Sequence, residues 1–285
     1  VERFLPAWHA SVAAQTAPAD ELWIALDGLT PADVERAVGH TIEATWVPAP
    51  PGATPAEVRQ RPLARLVERC DAVVFVDADD LLHPTRIEAA RRGLADADLT
   101  VCGLRLVDEA GADLGTALRP PDEPERVLPR TNVFGLSNTA YRSELLRRCL
   151  PLPPGALAVD WYLATRAWLL GAAFDADAEL RMDYRQHGAN TTVVRPPFDA
   201  ATLRRDTARV EAHLALATAP LPGARADRVA ELEAARAEVA AFRARVVDDR
   251  ATLDAYVAAL DALPWPPRWW SHVARPELRA LWAAR

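Results

Sequence analysis

Residues 73–84, VVFVDADDLLHP, constrain this chain more than any other stretch: an apolar run ends in three carboxylates, Asp77, Asp79 and Asp80, followed by His83 and Pro84. A β-branched and aromatic run bounded by polar residues predicts a buried strand. Open α/β sheets take their ligands at the carboxyl ends of such strands. Carboxylates this close repel one another unless something positive sits among them. Hard oxygen donors suit Mg²⁺ or Mn²⁺, and either cation neutralises the charge of a diphosphate. A second reading makes Asp79 or Asp80 the cap of a helix that opens at Pro84.

The flanking pattern predicts helices over 4–14, 31–38, 55–69 and 84–94, alternating with strands over 21–26, 44–47 and 72–76. This alternation implies an α/β fold, a mainly parallel sheet with helices on its faces. Residues 99–107 and 114–118 flank a polar segment with Gly111 that closes a hairpin. A proline-rich surface loop or lid is predicted over 120–129, a helix over 159–170, and one or two short strands over 173–184.

Composition removes whole mechanisms. All 33 basic residues are arginine, so no lysine is available as Schiff base, P-loop cation or general base. The net charge of −7 argues against a general nucleic-acid binder. Cys70, Cys102 and Cys149 are far apart without zinc-type spacing, which predicts buried thiols in a reducing compartment. The sequence holds no run of 18 apolar residues and no apolar signal core at its start. The expected location is cytoplasmic, with peripheral contact at the inner membrane face left open.

From about residue 198 the composition shifts to Ala, Arg, Glu and Leu. The expected division is a catalytic domain over 1–197 and a helical extension over 198–285. Leu232, Ala235, Val239, Phe242, Val246, Asp249, Leu253, Tyr256, Leu260 and Leu263 form a coiled-coil-like seam of alternating three- and four-residue steps. Either the chain's own helix around 201–216 covers it, or a second copy does, forming a homodimer. The tail carries Trp265, Trp269, Trp270 and Trp282 among arginines. Such a tail suits a membrane interface, or docks on the protein's own core.

The ordered set FLPAWHASVAAQT, ELWIALDG, VFVDADDLLHP, VDWYLATRAWLLGAAF and YRQHGANTT resembles family 2 glycosyltransferases, nucleotide-sugar-dependent enzymes of the A-type fold, across residues 1–192. The resemblance implies a nucleotide-sugar donor, a divalent metal (Mn²⁺ or Mg²⁺), and a glycan, lipid-linked or small-molecule acceptor. It assigns Asp27 to the nucleotide base and Arg61, sixteen positions before Asp77, to the nucleotide. Asp77 would contact ribose and Asp79 the metal, with Asp80 able to exchange roles with Asp79. His187 would reach the metal or the diphosphate, and Asn190 would hold its loop. Asp160 would be the general base of an inverting displacement, although Val159 stands where the pattern has glutamate. Each residue also has a plain structural reading: turn aspartate for Asp27, surface helix for Arg61, helix N-cap for Asp160, packing histidine for His187. Ser137, Asn138 and Thr139 either meet sugar hydroxyls or satisfy backbone groups.

Motifs for serine hydrolases, dinucleotide binding and zinc proteases are missing. So is the Gln-x-x-Arg-Trp pattern of processive synthases, which implies a single transfer. Relatives begin with an apolar strand that Val1 already lies beyond, so a first strand of about ten residues is expected to be missing. Two alternatives stand: a nucleotidyltransferase, and a non-catalytic relative that assembles through its helical extension.

Overall fold

The computed structural model describes residues 1–188, 190 and 194–283. The first half alternates as predicted: α1 (Leu5–Ala13), β1 (Trp23–Leu26), α2 (Pro31–Val38), β2 (Thr45–Pro48), α3 (Pro55–Leu66), β3 (Ala72–Val74), β4 (Leu81–Leu82) and α4 (Arg86–Gly93). Helices α2 and α3 begin for one local reason. Thr30 and Thr54 each accept a hydrogen bond from the backbone N–H three residues on. Asp33 and Glu57 return a bond to the cap N–H, and a proline opens each helix.

The predicted hairpin is β5 (Leu99–Val107) with β6 (Asp113–Leu118), antiparallel. Its turn is held by Asp108 Oδ1, which accepts the N–H groups of Ala110 and Ala112. Gly111 at φ 89° supplies the left-handed backbone there. Next come β7 (Thr139–Arg142) and α5 (Ser143–Cys149), neither of which the sequence pattern predicts, then α6 (Val159–Leu169) and β8 (Phe174–Arg185). The predicted surface loop over 120–129 is partly core, since Pro124 and Leu128 are buried.

Strands β1 and β2 pair in parallel as a separate sheet. The other six form one sheet in the order β3-β7-β5-β8-β4, with β6 on β5. The α/β class is as predicted, but the mainly parallel sheet is corrected to a mixed one. In the large sheet only β5 and β8 run parallel among the described residues. The cause is β7, which enters antiparallel between β3 and β5 and displaces the expected crossover neighbour. Strand β5 is buried along its length except at Arg105, so both its faces are covered, which is why it is mostly apolar.

Helix α6 is buried all round. Ten of its eleven residues are fully buried, and Asp160 at its head is half-buried. A helix apolar on every face needs cover on every face. The cover comes from α5 and from α7 (Ala200–Ala217) and α8 (Ala226–Phe242).

The seam is split between two helices. A π-helical turn over Arg243–Val247 ends α8, and Asp249, the polar break, caps α9 (Arg250–Asp261) by accepting the Thr252 N–H at 2.8 Å. Leu232, Ala235, Val239, Phe242, Val246, Leu253, Tyr256 and Leu260 are buried within the single chain. The tail crosses this layer: Trp282 packs on Phe242 and Tyr256, and Trp269 and Trp270 are buried. Cys102 and Cys149 are buried thiols as expected, whereas Cys70 is partly exposed. Among the described residues no helix is long and apolar enough to cross a membrane.

Candidate active site

The three clustered carboxylates lie in the turn that follows β3, closed by the Asp80 N–H donating to the Asp77 carbonyl at 3.1 Å. They have three different fates. Asp77 faces Arg59, whose guanidinium donates to Oδ1 at 2.7 Å. Asp79 Oδ2 meets His187 Nε2 at 2.8 Å. Asp80 turns inward, 2 % exposed, accepting from the Ser137 hydroxyl at 2.6 Å and from the Arg185 N–H at 3.1 Å. Burial pushes the Asp80 carboxyl well above its ordinary range, and the charges of Asp79 and Asp77 push the same way.

Ser137 therefore serves the carboxylates. Its Oγ also accepts the Asp77 N–H at 2.9 Å, tying the acidic turn to the loop before β7. Arg185, at the end of β8, fixes the turn from the other side by donating to the Asp79 carbonyl at 2.9 Å. The next loop is closed by Asn190: its amide donates to the Arg185 carbonyl at 3.0 Å, and its oxygen accepts the His187 N–H. Ala189, Thr191 and Thr192 of the YRQHGANTT motif lie outside the described residues.

Asp160 enters from the first turn of α6. Its Oδ1 accepts the Trp161 N–H at 2.7 Å, and the Asn132 amide approaches Oδ2 at 3.5 Å. Its carboxyl is pushed up to about 7. Burial is the main cause and the Asp77 charge adds to it, while the Trp161 N–H and the Arg59 cation pull the other way. Val159, where the family pattern has glutamate, is buried in the core. Asp160, Asp77, Asp80 and Arg59 line one cavity of about 240 Å³, whose lining also includes Trp269 and Trp270.

Of the predicted residues, Asp79 and His187 pair with each other outside the cavity lining, and two more are not gathered at all. Asp27, at the end of β1, and Arg61, on α3, are both exposed, and neither lines the cavity. The cation beside Asp77 is Arg59. Two positions along a helix turn a side chain through about 200°, so Arg59 and Arg61 face opposite ways. The signal was in the spacing, because Arg59 stands three residues after buried Ala56 and four before buried Leu63.

Asp79 and His187 are bonded directly to each other at 2.8 Å, so that contact would have to open for the pair to share a cation. Asp80, assigned to the metal on sequence, is instead occupied with Ser137 and Arg185. Among the described residues no three His, Cys, Asp or Glu side chains converge on a metal position. Two protein donors nevertheless suit Mg²⁺ or Mn²⁺, which take one or two carboxylates and complete their shells with substrate phosphates and water.

No protein-family model and no curated protein sequence matches this chain. Solved structures do resemble it. A structure of S. aureus TarS is similar at a TM-score of 0.58 and 13 % identity, over 89 % of this chain and 44 % of that one. This chain thus spans less than half of that structure. TarS 1–349 in complex with UDP-GlcNAc is similar at 0.55 and 14 %, over 85 % and 69 %. A further TarS 1–349 structure gives 0.57 and 12 %, over 98 % and 80 %. At such identities the likeness shows the fold alone, an α/β fold shared with the TarS structures.

Proposed function

We propose that this chain is a nucleotide-sugar glycosyltransferase of the family 2 type, moving one sugar to an acceptor hydroxyl with inversion and with Asp160 as base. The observation that carries the reading is the cavity that the Asp160 carboxyl shares with Asp77 and Arg59, where burial pushes that carboxyl up to about 7. A general base works best with a pKa near the operating pH, and burial has brought this one there. Asp160 takes the acceptor proton as that oxygen bonds to the anomeric carbon. The bond from that carbon to the diphosphate oxygen breaks, and the nucleoside diphosphate leaves with the electron pair. Arg59 supplies a cation beside the departing phosphates, and Asp77 holds that guanidinium in place.

A divalent cation bound by Asp79 and His187 would neutralise charge on the leaving diphosphate. Asp80 acts indirectly: its two inward hydrogen bonds hold the turn that presents Asp77 and Asp79. The UDP-GlcNAc complex of the TarS structure makes UDP the first nucleotide to try.

Thermal unfolding with UDP, GDP, dTDP and CDP, each with and without Mn²⁺, tests this reading. Ligand at a hundred times Kd stabilises by about 2.7 kcal/mol. A chain of this size has an unfolding entropy of about 0.6 kcal/mol/K, so Tm rises by about 4 °C. One nucleotide should shift Tm only with metal, and His187→Ala should abolish that metal-dependent shift. No shift with any nucleotide would refute the reading.

A further inference from the structure

We propose that the C-terminal tail builds the acceptor half of the site, with Trp269 and Trp270 forming an apolar wall beside Asp160 that receives the ring of a sugar acceptor. This deepens the glycosyltransferase reading and rests on it. Neither tryptophan belongs to the sequence motifs, and both come from the far end of the chain.

Three independent features place them. First, Trp269 is joined to the Asn132 backbone in both directions, N–H to carbonyl at 3.0 Å and back at 3.2 Å. Asn132 is the residue whose amide approaches Asp160. Second, Trp270 stacks on Trp161, the residue next to Asp160, with ring centroids 4.8 Å apart. His213 also stacks on Trp161, with centroids 3.9 Å apart. Third, among the described residues the non-glycine positions with positive φ are Trp270 at 58° and Ala274 at 46°, both in this tail. A bulky residue in that region is strained, and such strain persists only where the surroundings over-determine it, commonly at functional sites.

The surroundings are elaborate for a mere terminus. Tyr256 Oη donates to the His272 carbonyl at 2.9 Å and accepts the Arg275 N–H at 2.8 Å, and His272 meets buried Asp206 at 3.0 Å. Gly135 leaves the indole its place, since a Cβ there would lie 3.0 Å from the Trp269 ring. The cavity is small beside typical ligand pockets, which suits a single ring better than an extended chain. Indole faces take the C–H face of a pyranose by the same contact that makes aromatic rings pack on apolar groups.

Saturation-transfer NMR with p-nitrophenyl β-D-glucopyranoside as the probe tests the wall, run on the full chain beside the nucleotide and Mn²⁺ melting series. The wild type should bind the glycoside saturably. Trp269→Leu should weaken it about tenfold while keeping the nucleotide-induced Tm shift. Gly135→Ala, which pushes on the indole without removing it, should weaken it as well. Trp269→Phe should restore part of the binding. No saturable binding by the wild type, or equal binding by wild type and Trp269→Leu, would overturn the proposal. Glycoside binding without any nucleotide response would instead leave the wall standing and sink the transferase reading.

Discussion

Replacing Asp160 by Asn should change stability in a pH-dependent way that needs no knowledge of the substrate. Folding lifts this carboxyl from its ordinary 3.8 to about 7, chiefly through burial. As pH rises between those values the unfolded chain releases the proton while the native protein keeps it. The unfolded state therefore binds fewer protons, and native stability falls with pH across that window and is level on either side. The shift is about 3 units, and at 1.36 kcal/mol each the wild type loses at most about 4 kcal/mol by pH 7. An asparagine carries no such penalty. Its Tm advantage over wild type should be near zero at pH 4 and grow to roughly 3–7 °C at pH 8, given an unfolding entropy of about 0.6 kcal/mol/K. Paired melting curves from pH 4 to 8.5 read this directly, and other titrating groups cancel in the difference. A Tm difference that stays constant across the range would show that Asp160 does not titrate there and would remove the physical basis for its role as base.

Arg59→Met removes the cation that lowers the Asp160 carboxyl and pairs with Asp77. The rising part of the same difference curve should then extend above pH 7, read by repeating the Asp160→Asn comparison in that background. Ser137→Ala strips the hydroxyl from buried Asp80 and leaves the Asp77 N–H without its acceptor. The expected cost is about 1–3 kcal/mol, seen as a lower urea midpoint with an unchanged slope.

Local chemistry was readable in advance. The helices opening at Pro31 and Pro55, the hairpin around Gly111 and the helix from Val159 follow from neighbours a few residues apart, and they fold as the sequence implied. The acidic cluster after β3 was equally plain, and so was Asp160. Which of its members faces outward was not, because Asp80 owes its inward turn to Ser137 and Arg185, 57 and 105 residues away. That Arg59 and not Arg61 pairs with Asp77 is a matter of helical phase, set by the buried Ala56 and Leu63 positions.

By itself the sequence determined most element types, β4, β7 and α5 excepted, together with the α/β class, the carboxylates after β3 and an acid at the head of a buried helix, since periodicity and capping act over a few residues. Tertiary structure alone decided the rest. It set the mixed pairing around β7, the choice of Arg59 as partner of Asp77, and the return of Trp269 and Trp270 to the cavity. It also raised Asp160 toward neutrality, because desolvation comes from everything packed around a group, and one stretch of chain does not specify its surroundings.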